Sequence, residues 1–189
     1  MEGDIMAIAG KHGVTANTPK NIVFGAGTIH KNMTKEGNTW SGGTIVGATN
    51  GGSKLSIIPE FVDVAVDGAN VLAKGLKVKT GETAEMAVNF AEVSADIIAA
   101  ATAGKNTAGV ITSKADIAEG DYWENVAFVG ETIDGTAIIA VLPNALITSG
   151  FELEGKHKEG SVVACTFTCH ADLEGSLDTL PWEIIYPTV

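Results

Sequence analysis

The residues that come closest to a catalytic or metal-binding group are Cys165, Cys169 and His170, which lie near one another in the sequence. A structural zinc site needs about four ligands. Neighbouring residues of a strand point to opposite faces, so the side chains of Cys169 and His170 do not converge. His170 is followed by Ala171-Asp172, which could orient a histidine, but no serine or cysteine is marked as the nucleophile. We therefore expect neither a metal site nor a catalytic residue here.

Three other segments match nucleotide-binding or hydrolase motifs only in part. Gly104-Lys105 lacks both the upstream glycine and the following Ser or Thr of a phosphate-binding loop. Gly25-Ala26-Gly27 lacks the third glycine of a dinucleotide fingerprint and is more typical of a turn. Ser53 follows Gly51-Gly52, but Leu55 stands where a nucleophile elbow requires glycine. These motifs predict no enzyme, no cofactor and no bound metal.

The two cysteines lie in the run Val162–Cys169, where Val163, Cys165, Phe167 and Cys169 alternate with other residues. This pattern predicts one buried face of a strand. Four residues along a strand span roughly 13 Å, whereas the Cα atoms of a disulfide lie within about 7 Å of each other. The pattern therefore predicts two buried free thiols that act as small hydrophobic residues.

Composition and charge disfavour a nucleic-acid-binding protein. The chain has 23 acidic residues against 12 lysines and contains no arginine, which gives a net charge of −11. Arginine is the usual bidentate ligand of phosphate and guanine. Residues 1–59 carry a small positive surplus, which suggests that an N-terminal arm docks on acidic surface of a neighbouring copy. The start lacks a basic signal-peptide region, and no stretch reaches the roughly 18 apolar residues of a membrane span, so we expect a soluble protein made in the cytoplasm.

Short alternating segments separated by Gly, Asp and Asn predict many strands. Ser94 is the expected N-cap of one short helix over 95–102. Asp67-Gly68 and Asp134-Gly135 are expected to close hairpins, and loops are expected at Lys31–Asn38 and Asn50–Ser53. The predicted strands are 21–24, 40–49, 55–66, 71–78, 82–91, 110–112, 122–129, 136–142, 147–153, 161–169 and 182–186. The expected fold is mainly β, a single-domain β-sandwich of about ten strands with one short flanking helix.

Several short segments occur in a characteristic order: Asn17–Gly27, Gly47–Thr49, Val66–Gly68 with Lys74-Gly75, Phe90–Ser94, Asn125–Gly130, Asn144–Leu146 and Pro181–Ile184. Their order and spacing resemble the major tail proteins, or tail tube proteins, of siphophages over nearly the whole chain. Each of these segments is a turn next to an apolar strand, so only the ordered set is distinctive. The extra C-terminal immunoglobulin-like domain of some family members is not expected here.

The resemblance implies a structural subunit of a bacteriophage virion. In this family one sheet from each of six subunits joins a β-barrel that lines the DNA-ejection channel, and the hexameric rings stack. The implied partners are further copies of the chain and the tape-measure, tail-tip and tail-terminator proteins, with DNA passing through without specific binding and no membrane contact. The implied location is the virion tail, assembled in the host bacterial cytoplasm.

The resemblance and strand alternation together suggest which residues serve the tube. The single tail-tube domain spans residues 1–189, with an N-terminal arm over about 1–20 and an inter-ring loop over about 31–40. Alternation in 82–91 predicts that Glu85, Ala87 and Asn89 face away from the core. The candidates for the channel wall are Asp63, Asp67, Glu85 and Asn89, and those for contacts between rings are Lys31, Lys35, Asn38, Asn50 and Lys54.

Two alternatives remain open at this point. The tube of a tail-like bacteriocin or of a gene-transfer particle would have the same sequence features, and neighbouring genes would separate it from a phage tail. A β-sandwich module that binds host-surface glycan is the alternative of a different class. Such a module is expected to display clustered aromatic residues, whereas Trp40, Trp123 and Trp182 are scattered.

Overall fold

The computed structural model describes residues 13–155 and 157–187, and within them the predicted mainly β fold is confirmed. The N-terminal arm predicted over about 1–20 therefore lies largely outside the described residues. The strands are β1 (Val23–Glu36), β2 (Thr39–Ile45), β3 (Thr49–Asp63), β4 (Lys77–Phe90), β5 (Lys105–Thr107), β6 (Val110–Thr112), β7 (Val126–Thr132), β8 (Ala137–Leu142), β9 (Ala145–Ile147), β10 (Val163–Cys169) and β11 (Glu183–Ile185). The helices are α1 (Thr18–Asn21) and α2 (Ala95–Ala101), with a 3-10 turn at Glu119–Asp121.

Two antiparallel sheets form the body of the molecule. One sheet has the order β11-β8-β7-β1-β2 and the other the order β3-β4-β10-β9. A small third sheet pairs β5 with β6 and lies next to α2. Within the described ranges none of these sheets closes into a barrel, so each large sheet ends in edge strands.

The hydrophobic core lies between the two large sheets. Burial alternates along β4 and β10 as their sequence pattern predicted, with the apolar members inside and Glu85, Ala87 and Asn89 on the other face. Phe90 and Phe167 meet edge to face, with ring centroids 6.3 Å apart. The core residues of the four-stranded sheet are Ala84, Met86, Val88, Phe90, Ala145, Ile147, Val163, Cys165, Phe167 and Cys169, and those of the other sheet include Ile29, Val126 and Leu142.

β1 runs through two segments that the sequence analysis assigned to a turn and a loop. The backbone φ is +92° at Gly25 and +64° at Gly27, and the register of β1 against β7 shifts between Phe24 and Thr28. The glycines therefore form a bulge in a continuing strand. A Cβ on Gly27 would lie 2.2 Å from the Phe128 ring, so this position needs glycine.

The loop predicted over Lys31–Asn38 is strand as far as Glu36. Met33 is buried and pairs with Gly42 of β2, which holds this polar stretch in the sheet. Only Gly37-Asn38 forms the turn between β1 and β2. The lysines of the stretch are therefore positioned by a strand and not by a free loop.

The prediction that Asp67-Gly68 closes a short hairpin is wrong. β3 and β4 are joined by the loop 64–76, which contains a turn from Val66 to Ala69 and a second from Ala73 to Leu76. Gly68 and Gly75 supply the positive φ of these turns, +90° and +95°. The strand predicted over 71–78 begins only at Lys77 and is continuous with the one predicted over 82–91.

The other elements mostly follow the prediction. α2 is confirmed, with the Ser94 hydroxyl accepting the Ile97 N–H at 3.3 Å. The Asp134-Gly135 turn between β7 and β8 is confirmed by the Gly135 N–H, which donates to the Thr132 carbonyl at 2.9 Å. The strand predicted over 147–153 is wrong beyond Ile147, because β9 covers Ala145–Ile147 and residues 148–153 are not in a strand. No helix in the described part of the chain is both long enough and apolar enough to cross a membrane.

Candidate assembly surface

The potentially reactive side chains of Cys165, Cys169 and His170 pack within the fold. Burial raises the pKa of the Cys165 thiol to about 11 and that of Cys169 to about 12, so neither forms the reactive thiolate near neutral pH. The His170 ring packs edge-on against Tyr122, with centroids 5.3 Å apart. Across residues 13–155 and 157–187, no group of three or more His, Cys, Asp and Glu side chains is placed to hold a metal ion. The distinctive surfaces are one face of a sheet and one long hairpin.

The outer face of the four-stranded sheet carries short side chains. Register defines it, because Ser56 pairs with Glu85, Thr166 with Ala87 and Ala164 with Asn89, and paired residues share a face. The Thr168 hydroxyl lies 2.8 Å from that of Thr148 at the β9 edge. We call this surface the small-residue face and define it by Lys54, Ser56, Thr83, Glu85, Ala87, Asn89, Ala164, Thr166 and Thr168. Ile58 and Leu146, which pair with Thr83 and Thr168, lie on the same side at its margins.

The charge of the small-residue face is close to zero. Lys54 and Glu85 are its only ionisable members, and they have opposite signs. The large acidic surplus of the chain therefore lies on other surfaces.

β3 and β4 continue beyond the body of the protein as a hairpin. β10 pairs with β4 only from Glu85 to Phe90, so beyond Thr83 the two hairpin strands pair only with each other in the described structure. We call residues 58–81 the projecting hairpin. Its exposed apolar residues, with exposed fractions, are Ile58 57%, Phe61 54%, Val62 53%, Val64 46%, Val66 46%, Val71 79%, Leu72 80% and Val78 50%. Exposed apolar side chains in this number on one hairpin make it a candidate binding surface.

Asp63 and Glu85, two of the four predicted wall candidates, lie on opposite faces of the β3–β4 pair. Ser56 shares a face with Glu85, and alternation along β3 places Asp63 on the other one. There Asp63 forms an ion pair with Lys77 at 3.0 Å, and the Lys77 ammonium lies 5.9 Å from the Phe61 ring centroid. A channel wall built from one face would therefore present Glu85 and Asn89 without Asp63. Asp67 lies apart from them, in the loop 64–76.

Lys31 and Lys35, two of the predicted ring contacts, make contacts within the chain. The Lys31 ammonium lies 4.3 Å from the Trp123 ring centroid and 3.9 Å from an Asp96 carboxylate oxygen. Lys35 donates to Glu183 at 2.5 Å. The Glu183 carboxylate also accepts the Trp40 indole N–H at 3.0 Å, so it joins β1, β2 and β11. The Lys35 hydrogen bond, followed by that from Trp40, lowers the pKa of Glu183.

The remaining predicted ring contacts are exposed but lie in different places. Asn38 lies in the β1–β2 turn. Asn50 lies near the start of β3, where the register against β4 shifts between Thr49 and Ser53, so the expected loop tip is a bulge in the strand. Lys54 belongs to the small-residue face. The structure does not bring these residues together into one surface.

The exposed character of the projecting hairpin was not predicted from the sequence. The valines at 62, 64 and 66 and the run Val71-Leu72 were assigned to the predicted strands 55–66 and 71–78, without any prediction that they would be exposed. The available signal was the composition of 64–76, where glycine, alanine, aspartate and asparagine interrupt the apolar residues too often for a buried strand.

Comparison with models of protein families found no match, and comparison with curated proteins also found none.

Proposed function

We propose that this chain is the structural subunit of a bacteriophage tail tube, stacking as hexameric rings around the channel through which DNA is ejected. The observation that carries the proposal is the projecting hairpin with its uncovered apolar side chains. Burying such side chains contributes about 1.5–3 kcal/mol for each one that becomes fully covered. Self-association into rings and tubes would bury this surface.

The edges of the four-stranded sheet support ring formation. β3, a strand of 15 residues, is one edge of that sheet and β9 is the other. Trp123 pairs with Ala145 on the outer side of β9, so the more open part of that edge begins at Ile147. Exposed edges are templates for pairing with another chain. In the proposed ring, β3 of one subunit extends the sheet of the next, and the small-residue face becomes the channel wall.

The composition of the small-residue face supports passage of DNA. Short hydroxyl, methyl and amide side chains leave the bore wide. With one lysine and one glutamate per subunit, the wall offers no excess of cations that would hold phosphate by counterion release. The same features suit the tube of a tail-like bacteriocin or of a gene-transfer particle, and both remain alternatives to a phage tail.

Electron microscopy of the purified chain tests the proposal directly. Concentrated protein, alone or mixed with tape-measure and tail-tip proteins, is expected to form rings or hollow tubes in negative stain. A chain that stays monomeric with those proteins present would refute the tube. Binding to a host-surface glycan by such a monomer would favour the binding module instead.

A further inference from the structure

We propose that Glu82 is a positioning residue that fixes the direction of the projecting hairpin by tying it to the segment Leu180–Ile185. Glu82 lies on β4, three residues before Glu85, the first β4 residue that pairs with β10. It pairs with Pro59 and faces the core side of the sheet. Its side chain is 7% exposed, although the hairpin beyond it is open to solvent. A buried carboxylate is stable only when hydrogen-bond donors surround it.

Two donors reach this carboxylate from different parts of the fold. The Lys79 ammonium donates to one oxygen at 2.5 Å, and the Leu180 backbone N–H donates to the other at 2.9 Å. Both contacts lower the pKa of Glu82, that with Lys79 the more, and Trp182 lowers it further. The buried indole nitrogen of Trp182 has no hydrogen-bond partner of normal geometry in the described structure. The carboxylate thus accepts a hydrogen bond from Lys79 on one oxygen and from Leu180 on the other.

We call the two hydrogen bonds of Glu82, with Lys79 and with Leu180, the tie. The tie spans the point at which the hairpin changes direction. The register of β3 against β4 shifts between Glu60 and Phe61, which places an extra β4 residue between Lys79 and Gly81. A bulge of this kind bends a strand. Lys79 lies on the hairpin side of the bulge and Glu82 on the body side, so their contact fixes the bend.

Leu180, at the other end of the tie, leads into the five-stranded sheet. Leu180 and Trp182 pack against the core, and the chain then enters β11, which pairs with β8. The hairpin of one sheet and the edge strand of the other are therefore expected to move as one unit. The tie itself is independent of the proposed tube, whereas its consequence for assembly rests on that proposal.

Glu82→Gln tests the tie, with Glu85→Gln as the matched control on the same strand and opposite face. The glutamine keeps the size but loses the charge that strengthens both hydrogen bonds. We expect amide hydrogen exchange at Leu180 to accelerate about tenfold or more in Glu82→Gln and to stay unchanged in Glu85→Gln. Equal exchange in the two variants would overturn the proposal. Should Glu82→Gln not fold, Lys79→Gln removes one donor only, and unchanged exchange at Leu180 in that variant would also overturn it.

The direction of the hairpin needs its own measurement, because a purely structural role would also change exchange. Spin labels on Leu72→Cys and Ala164→Cys report the distance from the hairpin loop to the body by pulsed electron paramagnetic resonance, and the native thiols are buried. Glu82→Gln should broaden this distance distribution while the melting temperature of the body stays close to that of the parent. A distribution as narrow as in the parent would refute the positioning role. If the distribution broadens but neither parent nor variant forms tubes, the proposed function fails while the tie stands.

Discussion

Replacing Val71 and Leu72 together by serine tests whether the projecting hairpin drives assembly. Both side chains lie in the loop 64–76 and are among the most exposed apolar residues, at 79% and 80%. Because neither packs in the core, the double variant should fold with a change in unfolding free energy within about 0.5 kcal/mol.

The loss on assembly follows from the exposed fractions. Full burial of a valine or leucine side chain contributes about 1.5–3 kcal/mol. With about four-fifths of each side chain available for burial, the two substitutions should remove about 2.4–4.8 kcal/mol for each hairpin that docks. Since about 1.4 kcal/mol is a tenfold change in an equilibrium constant, the critical concentration for tube formation should rise roughly 50- to 3,000-fold.

Sedimentation and negative-stain microscopy across a concentration series measure that threshold. Leu173→Ser is the matched control, because Leu173 is 87% exposed but lies outside the hairpin, between β10 and β11. The control should assemble at the parent concentration. An unchanged threshold in the hairpin variant, or an equal rise in the control, would show that the hairpin is not the docking element.

Three further predictions concern the wall, the β11 edge and the thiols. Glu85→Lys should slow DNA ejection from assembled particles, most of all at low salt, where an added cation holds phosphate best. Glu85→Gln should leave the ejection rate normal. Equal rates in the two variants would show that Glu85 does not face the channel. Because the Lys35 hydrogen bond holds the folded pKa of Glu183 below its ordinary value of 4.5, the stabilisation from this contact should be complete above about pH 4.5 and be lost as pH falls through the lowered pKa. Tryptophan fluorescence should report that loss, and Glu183→Gln should abolish this acid-dependent component. Cys165 and Cys169 should stay unreactive toward a disulfide reagent at about pH 8 in the folded chain and react fully in denaturant, and rapid labelling of the native protein would contradict their burial.

Sequence periodicity predicted the parts of the fold whose side chains enter the core. β4 and β10 were recognised because every second residue is apolar, and their burial alternates accordingly. α2 was recognised from its N-cap and spacing. These patterns arise directly from burying one face of an element, so they are visible in the sequence.

The elements that were missed are held by contacts between distant residues. Lys35 appeared to belong to a loop because neither Glu183 nor Trp40 could be placed beside it from sequence. Glu82 was assigned no role from the sequence, since its partner Leu180 lies 98 positions away. The hairpin loop was assigned to strands because exposed apolar residues have the same types as apolar residues that face the core.

The position of the charges also changes the physical account of how DNA would pass through the proposed tube. An overall charge of −11 suggests a wall that repels phosphate. The small-residue face instead balances one lysine against one glutamate, while much of the acidic surplus lies in segments such as 171–178, which carries Asp172, Glu174 and Asp178 and no lysine. Adhesion of DNA requires cations that displace its condensed counterions, and a balanced wall has no surplus of them. In the proposed tube, non-adhesion of DNA would follow from the neutrality and the short side chains of the wall. The net negative charge of the chain would then serve to keep free subunits apart before assembly.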